Sequence, residues 1–193
     1  MNIPNKLTAT RLILAPFFAV AFYYGHKTGY LALMIASVAI YAVMELTDLL
    51  DGVIARRCNM ITDLGKVMDP FADTISHITF FLCFFAIGLM PLMALLVILW
   101  REFSMSFVRM LVMGKGKALP ANIFGKSKTV LYAICSLLSI AYELFLFIGL
   151  ESSAVLESIL YGLFYLAAAA SLASFVIYIF QVVKSGYLKG MTH

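Results

Sequence analysis

Charged residues are scarce in this chain of 193 residues: Asp, Glu, Lys and Arg together make up 12% of it, against about a quarter in a typical soluble domain. Hydrophobic residues make up 63%, and the mean hydropathy is +0.99. This composition excludes an ordinary soluble domain and predicts an integral membrane protein. The sequence also lacks internal repeats and low-complexity linkers, and its length fits a single domain over residues 1–193.

Cysteine is also rare. The three cysteines, Cys58, Cys83 and Cys135, are odd in number and lack the spacing of metal ligands. Neither a disulfide framework nor a zinc site is therefore indicated. The net charge of +4 is modest, and we expect no nucleic-acid partner.

The apolar residues fall into six runs, each near the ~20 residues that a helix needs to span a bilayer. A short interfacial segment, Met1 to Arg11, leads into the first run, which ends at Tyr24. The alternative, a signal peptide, lacks a cleavage pattern of small residues after this run. The other runs cover about 30–54, 69–87, 92–113, 129–148 and 159–183. We therefore predict an all-α membrane protein with six transmembrane helices and a short N-terminal interfacial helix.

Positive charges indicate the orientation of these spans. Six spans place both termini on one side of the membrane. If that side is the cytoplasm, it also receives the 55–68 and 114–128 loops, and it then holds 11 of the 14 Lys and Arg residues. This distribution obeys the positive-inside rule. We expect a multi-pass protein of the cell membrane with both termini in the cytoplasm.

Acidic residues are few, and four of the five aspartates fall in one pattern. Asp48 and Asp51 are three residues apart at the end of the second span, and Asp69 and Asp73 are four apart at the start of the third. On helices, each pair projects from one face. Four carboxylates together would repel one another strongly unless cations bind between them. Because carboxylates without cysteine select hard ions, the pattern predicts a site for two Mg²⁺ or Mn²⁺ ions.

Residues beside the aspartates indicate a diphosphate ligand. Gly52 and Ala55 leave room for a ligand to approach the backbone. Arg56 offers a fork of donors suited to phosphate. Metal ions, an open backbone and a guanidinium together suggest a diphosphate. The alternative is that Gly52 and Ala55 serve packing and that the aspartates merely flank a loop.

The complete pattern resembles, residue for residue, the signature of the CDP-alcohol phosphotransferase family. It reads Asp48-Leu-Leu-Asp51-Gly52-Val-Ile-Ala55-Arg56, then eight residues, then Gly65-Lys-Val-Met-Asp69-Pro-Phe-Ala-Asp73. The resemblance implies that Asp73 is the general base. It also implies a polar cavity open to the cytoplasm and to the lipid, and a homodimer. The implied binding site for the cytidine diphosphate comprises Asp48, Gly52, Ala55, Arg56, Gly65 and Asp69.

A second polar set lies in and after the fourth span. Arg101 is about ten residues, roughly 15 Å, into that span, and Arg109 is eight residues further on the same face. Lys126 and Lys128 lie where the fifth helix is expected to begin. Because ionisable residues inside a span usually face a cavity or a partner, these four cations suggest a site for an anionic acceptor. The alternative is that Arg101 pairs with Glu102 and that the lysines only mark the inner side.

This second region resembles the phosphatidylglycerophosphate synthase branch of the family. The similar residues are Trp100-Arg101-Glu102-Phe103, Arg109 and Gly125-Lys126-Ser127-Lys128-Thr129, together with the opening Asn2-Ile3-Pro4-Asn5-Lys6-Leu7-Thr8 and Arg11. The resemblance implies transfer of a phosphatidyl group from CDP-diacylglycerol to glycerol 3-phosphate, with release of CMP. It assigns the binding of the acceptor phosphate to Arg101, Arg109, Lys126 and Lys128.

Three residues depart from that branch. Thr74 stands where lysine is common, Glu45 lies one turn before Asp48, and His77 lies one turn after Asp73. An added carboxylate suits a cationic acceptor, so a CDP-choline phosphotransferase acting on diacylglycerol stays open, as does inositol phosphate as the acceptor. His77 alone is more typical of helix packing than of a ligand. A metal-ion transporter is a remote alternative. A transporter needs polar groups that continue to the far side of the membrane, and the outer halves of these spans carry few of them.

Overall fold

The computed structural model describes residues 2–57, 62–113 and 123–185. Within these ranges the chain forms six α-helices and no strand. The helices are α1 (Ile3–Thr28), α2 (Leu31–Arg57), α3 (Asp63–Ala86), α4 (Leu92–Met113), α5 (Ile123–Phe147) and α6 (Ala154–Lys184). The prediction of an all-α protein with six helices is confirmed.

Local chemistry sets the helix ends. The side chain of Asn2 caps α1 by accepting a hydrogen bond from the Asn5 N–H at 3.2 Å. Gly29 ends α1 with φ at +68°, and Gly88 and Gly149 adopt similar positive φ values after α3 and α5. Glycine adopts this backbone conformation without steric cost, so these three positions allow the chain to turn between successive helices.

Four of the helices are long and apolar enough to cross a membrane: α1, α2 over Leu31–Ile54, α5 over Ser127–Phe147, and α6. Helices α3 and α4 have 24 and 22 residues, but they carry charged side chains within the segments predicted to span. The chain thus has the character of a membrane protein, and six spans remain a prediction. Residues 3–11 continue directly into the first span within α1, and their place at the membrane interface also remains a prediction.

Several helix boundaries differ from the prediction. Instead of a polar loop over 55–68, α2 continues to Arg57 and α3 begins at Asp63. The Thr62 side chain caps α3 by accepting from the Gly65 N–H at 3.0 Å. Helices α5 and α6 begin near residues 123 and 154, about one and a half turns before the predicted starts. These first turns contain polar residues, which a hydrophobicity pattern assigns to loops although they are helical.

The chain packs as two compact units. The first unit contains α1, α2, α3 and the end of α5, and its core is aromatic. Phe18 and Phe22 on α1 meet Phe80 and Phe84 on α3 edge-on, with ring centroids 4.7 and 5.5 Å apart. Such pairs fix the relative position of two helices. They therefore hold the polar residues nearer the start of α1 in a defined register with α3.

The second unit contains α4, the start of α5, and α6. Met105 and Val112 on α4 pack with Tyr178 and Val182 on α6 in a buried cluster. Arg101 lies one turn before Met105 on the same helix, so this packing determines which part of α6 Arg101 faces. The expectation of a single domain over residues 1–193 stays a prediction.

Candidate active site

The four aspartates of the pattern lie near the end of α2 and the start of α3. Asp48 and Asp51 belong to α2, and Asp69 and Asp73 belong to α3. Asp51 is buried at 4% exposure, whereas the side chains of Asp48 and Asp73 are 43% and 44% exposed. The cluster therefore has one side within the protein and one side that a ligand can reach.

The guanidinium of Arg11, from α1, lies among these carboxylates. Its Nη1 donates to Asp73 Oδ1 at 2.6 Å and also to Asp48, and its Nη2 donates to Asp51 Oδ2 at 2.6 Å. The Arg11 side chain is 3% exposed. A buried charge needs close partners, and three carboxylates from two helices supply them here. Arg11 thereby joins α1 to both α2 and α3.

Thr8, one turn before Arg11, reaches the fourth aspartate. Its hydroxyl oxygen lies 2.7 Å from Asp69 Oδ1 and 3.2 Å from Asp51 Oδ2. Thr8 is fully buried. Because the hydroxyl has one proton, it donates to one carboxylate at a time, and the shorter distance favours Asp69. Together Thr8 and Arg11 bring α1 into contact with all four aspartates.

The start of α1 is held in place by the start of α3. The Asn5 side-chain amide donates to Thr62 Oγ1 at 3.1 Å. A Cβ atom at Gly65 would come within 3.0 Å of Asn5 Oδ1 and 3.2 Å of Thr62 Oγ1. Glycine at this position thus lets Asn5 approach α3 closely. This packing explains Gly65 locally, and its predicted role in binding CDP stays a prediction.

Among the described residues, no group of three or more His, Cys, Asp or Glu side chains is arranged to hold a metal ion. The four carboxylates of the cluster are instead turned towards the donors of Arg11 and Thr8. The expected Mg²⁺ or Mn²⁺ sites therefore stay a prediction.

Glu45 and His77, which depart from the synthase branch, lie near this cluster of aspartates. Glu45 interacts electrostatically with Asp48, Asp73 and Arg11, and His77 interacts with Asp48. The His77 ring also lies beside the rings of Phe80 and Phe81, about one turn further along α3, with centroid distances of 6.3 and 6.2 Å. Glu45 adds a fifth carboxylate near the four aspartates, and this increases the negative charge of the site.

The other residues of the signature lie in α2. Gly52 follows Asp51 directly and is partly buried. Ala55 and Arg56 belong to the last turns of α2, with side chains outside the described part of the structure. The predicted contacts of all three residues with CDP therefore stay predictions.

A second buried charge cluster lies in the second unit. Arg101 Nη1 donates to Glu102 Oε1 at 2.8 Å, and Lys128 Nζ donates to the same oxygen. Arg101 and Glu102 are each 4% exposed. The pairing of Arg101 with Glu102, which the sequence left open as an alternative, is thus present. Since two cations share one carboxylate, the cluster keeps an excess of positive charge.

Neutral hydroxyl groups complete this cluster. Arg101 Nη2 donates to Ser174 Oγ on α6 at 2.9 Å. The Tyr132 hydroxyl on α5 lies 2.8 Å from Ser171 Oγ and 3.1 Å from Glu102 Oε1. The network therefore links α4, α5 and α6. Such links are expected where charged groups lie inside an apolar bundle, because each polar atom needs a partner.

The two remaining predicted cations are less completely described. Arg109, two turns after Arg101 on α4, interacts electrostatically with Lys128 and with Tyr178 of α6. It thus lies near the cluster, and its predicted role in binding the acceptor phosphate stays a prediction. Lys126 belongs to the first turn of α5, and its side chain lies outside the described part of the structure.

Comparison with known proteins decides the family. Residues 1–177 match the model of the family described as CDP-alcohol phosphatidyltransferase. The chain belongs to this family. The prediction of a CDP-alcohol phosphotransferase is therefore confirmed at the level of the family, whose members are transferases of phospholipid synthesis.

Relatives in the CDP-alcohol phosphatidyltransferase family share up to 41% identity with the chain. A Treponema pallidum protein named CDP-diacylglycerol--glycerol-3-phosphate 3-phosphatidyltransferase is 41% identical over 140 residues, which cover 68% of this chain and 65% of that protein. A Bacillus subtilis protein of the same name is 32% identical over 136 residues, covering 66% and 70%. A Mycobacterium tuberculosis protein named probable phosphatidylglycerophosphate synthase is 34% identical over 133 residues, covering 69% and 63%. The matches thus span about two thirds of these relatives.

Sequence reasoning about this CDP-alcohol phosphatidyltransferase missed the part that α1 plays. Thr8 and Arg11 entered only as part of a resemblance, yet they contact all four aspartates. A signal was present, because Thr8 and Arg11 have the same three-residue spacing as Asp48 and Asp51 and therefore share one helix face. A cation within an apolar run also indicates a buried anionic partner.

Proposed function

We propose that this protein transfers the phosphatidyl group of CDP-diacylglycerol to glycerol 3-phosphate, forming phosphatidylglycerophosphate and releasing CMP. The names of the relatives support these substrates. The observation that carries the proposal is the convergence of carboxylates from α2 and α3 on one buried guanidinium. An accumulation of negative charge at this depth serves little purpose in packing and suits the binding of cations beside a diphosphate.

The four aspartates fit two divalent ions, Mg²⁺ or Mn²⁺. Three of the carboxylates converge on a single guanidinium, a position that cations could take in its place, and carboxylate oxygens are the ligands that such hard ions prefer. The exposed sides of Asp48 and Asp73 give access. Bound at Asp48, Asp51, Asp69 and Asp73, these ions would neutralise the diphosphate and the charge that develops on departing CMP.

Asp73 would act as the general base. Its side chain is 44% exposed and belongs to the accessible side of the cluster. The hydroxyl oxygen of the acceptor attacks the β-phosphorus of CDP-diacylglycerol, and its proton passes to the Asp73 carboxylate. The bond between that phosphorus and the bridging oxygen breaks, and the electron pair leaves with CMP. Asp48 is equally exposed, so exposure alone does not distinguish the two; the family resemblance assigns the role to Asp73.

The remaining signature residues would bind the donor. Gly52, Ala55 and Gly65 would leave space for the cytidine end, and Arg56 would neutralise part of the diphosphate. Asp48 and Asp69 would contribute to the same site through the cations that they bind.

The acceptor phosphate would bind to cations of the second unit. Among the described residues, Arg101 and Lys128 share a single carboxylate, that of Glu102, so a positive charge remains for an anion. Arg109 and Lys126 would add to it. This excess favours glycerol 3-phosphate over a neutral or cationic alcohol.

The arrangement in the membrane follows from the charge distribution along the sequence. Both termini and the active site would face the cytoplasm of a cell membrane, with a cavity open to the cytoplasm and to the lipid that admits the acyl chains. The expected homodimer also belongs to this proposal.

The test is release of CMP by the full chain purified in detergent, with Mg²⁺ or Mn²⁺ and CDP-diacylglycerol. Glycerol 3-phosphate, inositol phosphate and serine are offered separately, and CDP-choline with diacylglycerol in a parallel reaction. We expect turnover with glycerol 3-phosphate alone. CMP release with inositol phosphate or serine alone would contradict the acceptor assignment. A chain that releases no CMP with any pair but carries Mn²⁺ into sealed vesicles would be a transporter.

A second candidate is a CDP-choline phosphotransferase. The observation that favours it is Glu45, whose carboxylate interacts with Asp48 and Asp73 and would attract a quaternary ammonium. Turnover only in the CDP-choline reaction would establish this function. It would retain the four aspartates and reject the acceptor-phosphate role of Arg101 and Lys128.

A further inference from the structure

Arg11 contacts the same carboxylates that divalent ions would use. Its guanidinium contacts one oxygen each of Asp48, Asp51 and Asp73. Since these aspartates are the proposed metal ligands, the inference developed here rests on the proposed function. A doubly charged cation bound to these oxygens would lie within a few ångströms of a fixed positive charge, in a partly buried site where charges interact strongly.

Among the described residues, Arg11 forms ion pairs only with Asp48, Asp51 and Asp73, and Glu45 interacts with it without forming an ion pair. The side chain is 3% exposed, and its ion pairs are those with the aspartates. Its Nε atom is buried and has no hydrogen-bond partner among the described residues. The guanidinium is therefore paired through Nη1 and Nη2 and not through Nε, and its position depends on the three carboxylates.

We infer that Arg11 is an internal counterion that competes with divalent cations for the carboxylates of Asp48, Asp51 and Asp73. Without metal it holds α2 and α3 together by neutralising part of their charge. When metal binds, the contacts between Arg11 and these carboxylates weaken. Metal affinity is consequently lower than the four aspartates alone would give, and the site remains assembled at low metal concentration.

This inference differs from a purely structural role in the sign of one effect. If Arg11 competes, its removal strengthens metal binding although it destabilises the metal-free protein. If Arg11 only arranges the carboxylates for metal, its removal weakens both. The two cases predict changes of opposite sign in Mn²⁺ affinity, so a titration separates them.

The experiment measures Mn²⁺ binding by the full chain in detergent, from the electron paramagnetic resonance signal of free Mn²⁺, after EDTA treatment and desalting. Arg11→Gln is compared with wild type and with Lys27→Gln, which removes a positive charge from the other end of α1. Because a neighbouring like charge is removed, we expect Arg11→Gln to bind Mn²⁺ more tightly, by about tenfold or more, and to melt at a lower temperature in EDTA. Lys27→Gln should bind Mn²⁺ as wild type does.

Unchanged or weaker binding by folded Arg11→Gln would overturn the inference. If this variant does not fold, Arg11→Lys replaces it, because a single ammonium keeps the charge but cannot pair with Asp51 and Asp73 through separate nitrogens. Arg11→Lys should bind Mn²⁺ a few-fold more tightly than wild type, and equal or weaker binding would reject competition.

If the proposed metal site does not exist, the Mn²⁺ titrations give a different result. The variant Asp69→Asn changes a proposed ligand that does not contact Arg11 through its carboxylate in the structure. If wild type and Arg11→Gln both bind no Mn²⁺, or if Asp69→Asn binds it as wild type does, the proposed site itself is wrong. If Asp69→Asn lowers affinity and Arg11→Gln does not raise it, only the competition is rejected.

Discussion

In the first unit one guanidinium pairs with three of the four aspartates, whereas in the second unit one carboxylate pairs with two cations. Among the described residues, Arg11 is the cation that forms the ion pairs of the first cluster, and Glu102 is the carboxylate that forms those of the second. Both are almost fully buried. In each cluster the group of opposite charge lies at the centre and bonds to several neighbours from different helices.

The comparison shows how a membrane protein can keep like charges together before any ligand binds. Burial of several like charges is very costly, and one central counterion removes part of that cost without neutralising the whole cluster. The first cluster stays negative and suits divalent cations. The second stays positive and suits a phosphate. Removing the central group of a cluster and removing one of the groups around it should therefore have different consequences.

The largest effect is expected from Asp73→Asn, which removes the proposed base from the edge of the first cluster. Turnover should fall by about a thousandfold or more, and binding of CDP-diacylglycerol should persist because the other three aspartates remain. CMP release and binding of a labelled donor measure the two effects. Asp63→Asn, which changes the fifth aspartate, is the matched control and should retain activity. An active Asp73→Asn variant would reject the base assignment.

Removing the centre of the second cluster should mainly reduce stability. Glu102→Gln leaves Arg101 and Lys128 buried without their shared carboxylate, a change that typically costs about 3–5 kcal/mol. Thermal unfolding in detergent should show a large decrease in melting temperature, whereas Glu151→Gln, at an exposed position between α5 and α6, should show none. Wild-type stability of Glu102→Gln would mean that the two cations find other partners and that Glu102 is not central.

A smaller effect is expected at the edge of the second cluster. Lys128→Met removes one cation but leaves Glu102 paired with Arg101, so the protein should stay folded. The KM for glycerol 3-phosphate should rise about tenfold, the value of one charge-assisted hydrogen bond, while the KM for CDP-diacylglycerol changes little. Lys184→Met, at the exposed end of α6, is the control. Equal changes for both substrates would argue against a phosphate-binding role.

The two clusters differ in how far the sequence predicts them. The four aspartates are predictable because helical spacing alone brings each pair to one face. Arg11 and Thr8 are about forty or more residues from their partners and join the site through packing of α1, which no local spacing reveals. Glu102 is adjacent to Arg101, so their pairing could be proposed from the sequence. The contacts with Tyr132, Ser171 and Ser174 depend on how α4, α5 and α6 meet.

The observed helix boundaries differ from the predicted ones for a related reason. Charged and polar residues at the starts of α3, α5 and α6 resemble loop residues in a hydrophobicity pattern. Caps such as Thr62 extend these helices beyond their apolar parts. The boundary error therefore falls where helices leave the apolar region.

The smallest effects should come from the neutral hydroxyls beside each cluster, and they compare the two clusters directly. Thr8→Val removes a buried hydroxyl 2.7 Å from Asp69, and Tyr132→Phe removes one that lies nearer to Ser171 than to Glu102. Hydrogen bonds between membrane helices contribute about 0.6 kcal/mol on average and up to about 1.7. We expect the loss of unfolding free energy for Thr8→Val to be near the upper value, because its acceptor is charged and the site has few donors. The loss for Tyr132→Phe should be near the average, because Arg101 and Lys128 still satisfy Glu102.

Thermal unfolding in EDTA measures both losses, with Thr10→Val on the exposed side of α1 as the control. A larger loss for Tyr132→Phe than for Thr8→Val would mean that the negative cluster depends less on its neutral donors than the positive cluster does.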